Sequence, residues 1–302
     1  MSDSPGTPSV DVPSESASQA GPGLAPQPGP EQPPEHGPAP LRWRGYPGVP
    51  LTSSPLTPGW AFGYFLYAVL VNVGVALVGV AIAVVVALAS PSARQTLMGL
   101  ASTTSQSTPL ALTVAAGIMI LVAYLIILAP LPFIARHRKV TYAQFVGMRP
   151  VRIGAVVGFA AAVTFAGLVI SLAYGGVLSV LRVHTAGNAE QIVKIFGSSP
   201  LGVITAFVAV AVVAPIAEES AFRGVIFSSL REAWGEGWAI VVSGALFGII
   251  HLDPLVMIPT ALLGMLLARV YSSSRSLWAS IACHGTYNAV SLALALLALR
   301  AR

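Results

Sequence analysis

The sequence predicts an all-α fold: a polytopic transmembrane helical bundle of about seven spans, preceded by a disordered N-terminal tail. Charged residues make up 9% of the 302 residues and hydrophobic residues 55%, against about 25% and 45–50% in an average soluble domain. The apolar residues fall into several runs, each long enough to cross a bilayer or nearly so. These two observations exclude an ordinary soluble globular protein.

The N-terminal segment, residues 1–58, contains 15 of the 24 prolines, with Ser, Gly, Gln and Glu between them. Such a segment cannot bury enough apolar surface to offset the conformational entropy that it would lose on folding. It also lacks the charged stretch followed by an apolar core that marks a secretory signal peptide. We therefore expect a disordered, proline-rich tail on the cytoplasmic side of the membrane.

Seven apolar segments follow this tail. They cover about residues 60–89, 110–134, 154–181, 200–230, 238–252, 255–271 and 276–299. The fifth segment is short for a full span, so we expect His251, near its end, in a turn within the bundle. Non-helical backbone at that depth is tolerated only where it is buried in protein or lines a cavity.

Basic residues indicate how the chain is oriented in the membrane. The loop 135–153 holds five Lys and Arg residues and no acidic residue, whereas the loop after the first span holds only Arg94. Because Lys and Arg are enriched in cytoplasmic loops, we expect residues 135–153 and the N-terminus in the cytoplasm. The net charge of +5 thus reflects membrane topology, and we expect the lipid bilayer, and no nucleic acid, as a partner.

Glu218 and Glu219 are acidic residues inside an apolar helix, and Arg223 follows them. An ionisable group at mid-membrane costs about 2.5–3.5 kcal/mol on insertion scales, so this cluster indicates a functional site. Glu219 and Arg223 are four residues apart with the acid first, which favours an ion pair on one face. A structural ion network and a direct catalytic role both fit this pair. Glu218 points about 100° away, and we expect it to face a polar cavity.

Two of the five histidines also lie in apolar helical stretches. Phe247 and His251 are four residues apart, and so are His284 and Asn288. One such histidine alone could be a packing residue, but histidines on two helices and paired acids on a third favour a shared site. The one cysteine, Cys283, points away from its neighbour His284 on a helix, so we expect it to pack rather than act as a nucleophile.

These motifs together resemble the CPBP family, which comprises the CAAX prenyl endopeptidases of type 2 and the bacteriocin-processing, or Abi, intramembrane proteases. In chain order they are Glu218-Glu219-x-x-x-Arg223, Phe247-x-x-x-His251 and His284-x-x-x-Asn288. The resemblance covers about residues 200–300. It divides the chain into the tail, N-terminal transmembrane helices over residues 59–199, and a catalytic helical core over residues 200–302.

The resemblance implies hydrolysis of a peptide bond in a cavity within the membrane. Glu218 and His251 would activate the attacking water. His284 and Asn288 would bind the developing oxyanion or help to hold the water. Such roles are chemically reasonable, because a desolvated carboxylate is a competent general base and an amide is a competent oxyanion donor. The family motifs also contain Glu219, Arg223 and Phe247, which we expect to support the site.

A divalent metal such as zinc is a second way for this site to work. Glu218, His251 and His284 could form a His₂Glu ligand set with a fourth position for water, as in many metalloproteases. Glu219 would then be the base. Because no His-Glu-x-x-His motif is present, the sequence leaves both the metal-dependent and the metal-free mechanism open.

The predicted function is therefore an intramembrane endopeptidase that acts on a membrane-associated protein or peptide, with prenylated CAAX-like substrates as an analogy. We expect the protein in a bacterial plasma membrane. A non-catalytic scaffold or bacteriocin-immunity-type protein on the same fold is the alternative. A proton-coupled transporter fits less well, because the two halves show no inverted repeat and a proton relay does not need Asn288.

Overall fold

The computed structural model describes residues 57–91, 94, 95, 98, 110–183 and 187–301. Across these ranges the chain forms helices joined by turns, without a strand. The predicted disordered tail lies outside the described residues except for its last two, and Pro58 already begins the first helix.

The helices that matter for the site are numbered in chain order. They are α1 (Pro58–Ala89), α2 (Leu110–Leu128), α3 (Pro130–His137), α4 (Tyr142–Val146), α5 (Ile153–Val180), α6 (Asn188–Phe196), α7 (Pro200–Phe207), the π-helical segment π1 (Val208–Val213), α8 (Ala214–Glu219), the π-helical segment π2 (Ser220–Phe227), α9 (Ser228–Ile249), α10 (Pro254–Ser274) and α11 (Leu277–Arg300). The chain from α7 to α9 is continuous, without an intervening loop.

Six helical stretches in the described part of the chain are long and apolar enough to cross a membrane, by length and composition. They are Pro58–Ala89, Leu112–His137, Ile153–Val180, Pro200–Ile249, Pro254–Ser274 and Leu277–Arg300. The predicted polytopic all-α bundle is confirmed, and the chain is an integral membrane protein. The predicted segment 200–230 and most of the predicted segment 238–252 lie within one stretch of 50 residues, Pro200–Ile249.

This 50-residue stretch folds back on itself at Gly235, in its last third. At about 1.5 Å per residue it would otherwise extend about 75 Å, more than twice a bilayer core of about 30 Å. Gly235 has φ 80° and ψ 169°, a conformation that residues with a Cβ atom rarely adopt. Phe222 and Phe247 lie on opposite sides of this glycine, and their ring centroids are 5.0 Å apart. The motif helices before and after the bend therefore pack against each other.

The helix α10, Pro254–Ser274, begins and ends close to the bounds of the predicted segment 255–271. Asp253 caps the helix, because its side chain accepts a hydrogen bond from Leu255 N over 2.9 Å. Pro254 occupies the first turn, where an N–H is not needed. Arg275 ends the helix in the left-handed conformation, with φ 56°.

The basic segment between α3 and α5 packs against the helical core. Leu277 N donates to Gly147 O over 2.9 Å at the start of α11, and the Tyr271 hydroxyl donates to Val146 O over 3.3 Å. Gly224 of π2 lies so close to Val146 that a Cβ atom on the glycine would be 2.8 Å from the valine Cβ. This segment is therefore fixed directly to π2, the helix that follows the paired acids.

The helical segment 220–230 forms the centre of the bundle, because every one of its residues is buried. It is in contact with α1, α2, α9, α10 and α11. A helix buried on all sides meets protein instead of lipid, which allows ionisable residues at this position. The helices from residue 57 onward form one compact unit, and the division at residue 200 into N-terminal helices and a catalytic core stays a prediction.

Candidate active site

The paired acids end α8, a short helix that lies between the two π-helical segments. A π-helical turn bonds residue i to residue i+5 and changes the direction of the side chains that follow; such turns are frequent at functional sites. The spacing of residues along the sequence predicts a regular α-helix here. The π turns are not visible in the sequence, because an apolar pattern reports which residues are buried and not the register of the backbone hydrogen bonds.

Glu219 is completely buried, and both of its carboxylate oxygens have partners. Its Oε2 lies 3.0 Å from Arg223 Nε and accepts a hydrogen bond from the Ser280 hydroxyl. Its Oε1 accepts a hydrogen bond from His284 Nδ1 over 2.9 Å. The predicted ion pair between Glu219 and Arg223 is therefore present. A carboxylate held in this way has no access to water and is poorly suited to act as the base.

Arg223 is only 1% exposed and joins three helices. Besides pairing with Glu219, its Nη2 donates to Gly264 O of α10 over 2.8 Å. Its guanidinium carbon lies 4.7 Å from the centre of the Phe247 ring of α9, within the range of a cation–π contact. The positive charge is thus surrounded by a carboxylate, a carbonyl and an aromatic face.

Phe247 is the residue around which the three motifs meet. Its ring centroid lies 5.4 Å from that of His251 and 5.6 Å from that of His284, in edge-to-face arrangements. It is 1% exposed and packs in the same way on Phe222. The ring therefore lies between the two histidines, and the supporting role of Phe247 stays a prediction.

Glu218 differs from its neighbour because it lines a cavity of about 210 Å³. Its side chain is 17% exposed. Its Oε1 accepts a hydrogen bond from the Tyr124 hydroxyl, and its Oε2 lies 3.8 Å from His284 Nε2. As expected, Glu218 faces a cavity while Glu219 pairs with Arg223, but most of the residues that line this cavity are apolar.

His251 lies in the turn that follows α9, as the shortness of the predicted segment indicated. Its Nδ1 is 2.8 Å from Phe247 O. Because a carbonyl only accepts, Nδ1 carries the proton and Nε2 of the neutral ring is left as an acceptor. His251 lines the same cavity as Glu218. The structure thus brings together the two residues that were expected to activate water.

His284 lies between the two acids and is only 3% exposed. Its Nδ1 donates to Glu219, which fixes that nitrogen as protonated and leaves Nε2 directed at the Glu218 carboxylate. One imidazole therefore contacts both the fully buried acid and the acid that reaches the cavity.

Asn288 lies one helical turn beyond His284, and its side-chain amide is engaged elsewhere. Its Nδ2 donates to Val210 O of π1 over 2.8 Å. It is not among the residues that line the cavity with Glu218 and His251. The structure therefore places Glu218 and His251 at the cavity and His284 beside Glu218, whereas the Asn288 amide contacts π1.

Two polar residues that line the cavity belong to helices that contain none of the three family motifs. Asn72 of α1 and Tyr124 of α2 both line it, and the Asn72 amide also donates to Ala68 O over 2.9 Å. An asparagine inside an apolar span is costly, so its presence was a signal that could have been used. Tyr124 gave a weaker signal, because tyrosines occur in membrane helices for packing alone.

The predicted metal ligands do not form a metal site in the described part of the chain. No group of three His, Cys, Asp or Glu side chains in the described ranges is arranged so that it could hold a metal ion. Glu218 and His284 approach each other, but a catalytic zinc site needs three protein ligands and an open position. The residues as placed do not fit zinc.

Cys283 is completely buried and belongs to an apolar cluster that includes Leu267 and Val163. This confirms the expected packing role. It contributes no group to the cavity that contains Glu218.

Comparison with known proteins identifies the same part of the chain. Residues 200–290 match the family model described as type II CAAX prenyl endopeptidase Rce1-like. The chain is 28% identical over 125 residues to the "Putative membrane peptidase YdiL" of Bacillus subtilis (strain 168), in an alignment that covers 39% of this chain and 50% of that protein. The chain thus matches about half the length of this curated relative. No solved structure gives a significant match.

The matched segment contains every residue of the three motifs, and it excludes Asn72 and Tyr124. The resemblance to the CPBP family, drawn from the motifs, is thereby confirmed. Residues 200–290 are thus similar to the type II CAAX prenyl endopeptidase Rce1-like family.

Proposed function

We propose that this protein is an intramembrane endopeptidase that hydrolyses a peptide bond of a membrane-associated protein or peptide. The observation that carries the proposal is the division between the two adjacent acids. Glu219 is buried and paired with Arg223, whereas Glu218 reaches a cavity that it shares with His251. A carboxylate and a neutral imidazole in one cavity are the groups needed to hold and deprotonate a water molecule.

In the proposed reaction, a water molecule donates one hydrogen bond to Glu218 Oε2 and the other to His251 Nε2. Glu218 takes a proton from this water. At the same time, the water oxygen attacks the carbonyl carbon of the scissile peptide bond. The tetrahedral intermediate then collapses, the C–N bond breaks, and the leaving nitrogen takes the proton from Glu218. The carboxylate is regenerated, so no further reactant is required.

Two donors are available in this proposal for the negative charge on the carbonyl oxygen. His284, when protonated, donates through Nε2, while Glu219 continues to accept from Nδ1. Asn288 has two amide hydrogens, of which one is bound to Val210 O. The second is assigned to the oxyanion because the family resemblance gives Asn288 this role. Removal of one oxyanion donor typically lowers kcat by about 10²–10³.

The same proposal assigns no step to a metal ion. It does so because no three His, Cys, Asp or Glu side chains in the described ranges are grouped so that they could hold a metal ion. Zinc-assisted hydrolysis is the competing mechanism, and it makes a different prediction about metal content and chelators.

The name of the matched family points to a substrate class. The family description names CAAX prenyl endopeptidases. We propose prenylated CAAX-type peptides as the first substrate class to examine. The probe is therefore a quenched fluorescent CAAX-type peptide, prepared with and without its prenyl group, and presented to the purified full-length protein in detergent.

We expect the wild-type protein to cleave the prenylated peptide, with and without chelator, and to contain no stoichiometric metal by elemental analysis. Glu218→Gln and His251→Ala should each lower kcat by at least about 10²-fold while the folded yield is retained. Glu236→Gln is the matched control, because Glu236 lies on the surface in an exposed pair with Arg269.

Three results would change these conclusions. Full activity in both site variants would remove Glu218 and His251 from the mechanism. About one zinc per chain, lost together with activity in the site variants, would establish the metal-dependent mechanism instead. A well-folded wild-type protein that cleaves neither form of the peptide, nor a broad set of membrane-associated peptides, would favour the scaffold alternative.

A further inference from the structure

Among the hydrogen bonds of the described residues, one joins the first two spans to a side chain of the motifs, and Tyr124 makes it. Its hydroxyl donates to Glu218 Oε1, across 94 positions of sequence. Tyr124 lies on α2, outside the matched segment 200–290, and lines the same cavity as Glu218 and His251.

Two other tyrosines at the interface between α1 and α2 make a different kind of contact. The hydroxyls of Tyr64 and Tyr67 donate to the backbone carbonyls of Ile127 and Ile126, over 2.7 and 2.5 Å. Those contacts join two helices and touch no motif residue. The contact made by Tyr124 has a carboxylate as its acceptor, and hydrogen bonds to ionised acceptors are about twice as strong as neutral ones.

The orientation of a glutamate carboxylate is weakly determined by its own covalent structure, because its terminal torsion is broad and roughly two-fold. The Glu218 carboxylate has two oxygens, and only one of them takes the proton from water. The other oxygen must therefore be held in place, so that the reacting oxygen keeps a fixed position relative to the water. Tyr124 holds Oε1, and this leaves Oε2 on the side of His284, 3.8 Å from its Nε2.

We propose that Tyr124 is a positioning residue for the reaction, which fixes the Glu218 carboxylate so that Oε2 faces the attacking water. This inference rests on the proposed endopeptidase function. Tyr124 keeps its proton throughout, since it donates to Oε1 while Oε2 takes the proton from water and returns it to the leaving nitrogen. Part of the active site is thus supplied by a helix that carries none of the family motifs.

The test compares Tyr124→Phe with Tyr67→Phe in the purified full-length protein, using the quenched prenylated peptide. Tyr124→Phe should lower kcat by about 10- to 100-fold and leave KM nearly unchanged, because misplacing a reacting group by about 1 Å costs up to about 10²-fold in rate. Tyr67→Phe removes an interhelical hydrogen bond at the same interface and should keep the wild-type kcat per folded molecule.

Two further comparisons separate positioning from a structural role. 4-Aminophenylalanine at position 124 keeps the ring and a weaker donor, so its kcat should fall between those of the wild type and Tyr124→Phe. In the Glu218→Gln background, Tyr124→Phe should cause no further loss of activity, because the group that Tyr124 positions is already absent.

A wild-type kcat in Tyr124→Phe would overturn the inference, and so would equal losses in Tyr124→Phe and Tyr67→Phe. If Tyr124→Phe does not fold, 4-aminophenylalanine decides: a wild-type kcat contradicts the inference and a reduced kcat with unchanged KM supports it. These results differ from failure of the proposed function, in which the wild-type protein itself does not cleave or Glu218→Gln remains fully active.

Discussion

The imidazole of His284 donates through Nδ1 to Glu219 Oε1 over 2.9 Å, and both side chains are almost completely buried. This contact joins the last helix to the centre of the bundle. Because the donor is Nδ1, the other ring nitrogen is the one presented to the cavity side. The second acid of the pair thus acts on the site through the histidine that it orients.

The first prediction concerns the buried ion pair. Arg223→Ala leaves the Glu219 carboxylate buried without its cation, and breaking a buried pair in this way costs about 3–5 kcal/mol of unfolding free energy. We expect a clear fall in folded yield and in the temperature of unfolding in detergent. Arg269→Ala is the matched control: it breaks an exposed pair with Glu236, which is worth about 0–1 kcal/mol. Equal stabilities of the two variants would contradict the structural role of Arg223.

The second prediction concerns the close approach of α11 to π1. A Cβ atom on Gly285 would lie 2.6 Å from the backbone oxygen of Ala211, and a backbone atom cannot move aside as a flexible side chain does. Gly285→Ala should therefore destabilise the protein by about 1–3 kcal/mol, a typical cost of overpacking. Thermal unfolding in detergent measures this effect.

The control for that variant is Gly158→Ala in α5. No atom lies within 4 Å of a Cβ at Gly158, so alanine should be neutral or stabilise the helix by up to about 1 kcal/mol. If Gly285→Ala behaved like this control, the packing of α11 against π1 would be looser than described.

The third prediction concerns Asn288. If its second amide hydrogen serves the oxyanion, Asn288→Ala should lower kcat by about 10²–10³ and reduce stability by only about 1 kcal/mol, for the hydrogen bond to Val210 O. Steady-state kinetics with the quenched peptide and thermal unfolding of the same samples give both quantities. A lower unfolding temperature with an unchanged kcat would show that Asn288 only anchors α11 to π1.

The fourth prediction concerns orientation in the membrane. Lys139 and Arg182 are both exposed and lie on opposite sides of α5 in sequence. We expect Lys139→Cys to react with a membrane-impermeant maleimide only after cells are opened, and Arg182→Cys to react on intact cells. The wild-type protein should stay unlabelled, because Cys283 is completely buried. The reverse labelling pattern would invert the proposed topology.

Much of the fold was accessible from the sequence because a bilayer imposes simple rules on length and polarity. The breaks at Gly235 and at Asp253 were visible as glycine and proline punctuation, and the turn that holds His251 followed from a segment too short to span. The predicted segments 200–230 and 238–252 correspond to the parts of the chain before and after the bend at Gly235.

The candidate site was accessible in part. Glu219 and Arg223 are neighbours along one helix, so helical spacing alone predicted their contact. The contact between Tyr124 and Glu218 joins residues 94 positions apart, and no periodicity within either helix contains it. The use of the Asn288 amide on Val210 was also hidden, since it depends on how α11 packs on a π-helical turn.

The size of the cavity beside Glu218 has a consequence for the conformation of whatever is cleaved. Its volume of about 210 Å³ is below the roughly 300–1,000 Å³ of sites that enclose drug-sized ligands, and an α-helix with its side chains is about 10–12 Å wide. A transmembrane segment cannot enter it while still wound as a helix. Under the proposed function, the scissile stretch must arrive extended. A segment that unwinds easily, because of glycine, proline or a nearby chain end, would then be a better substrate than a stable helix.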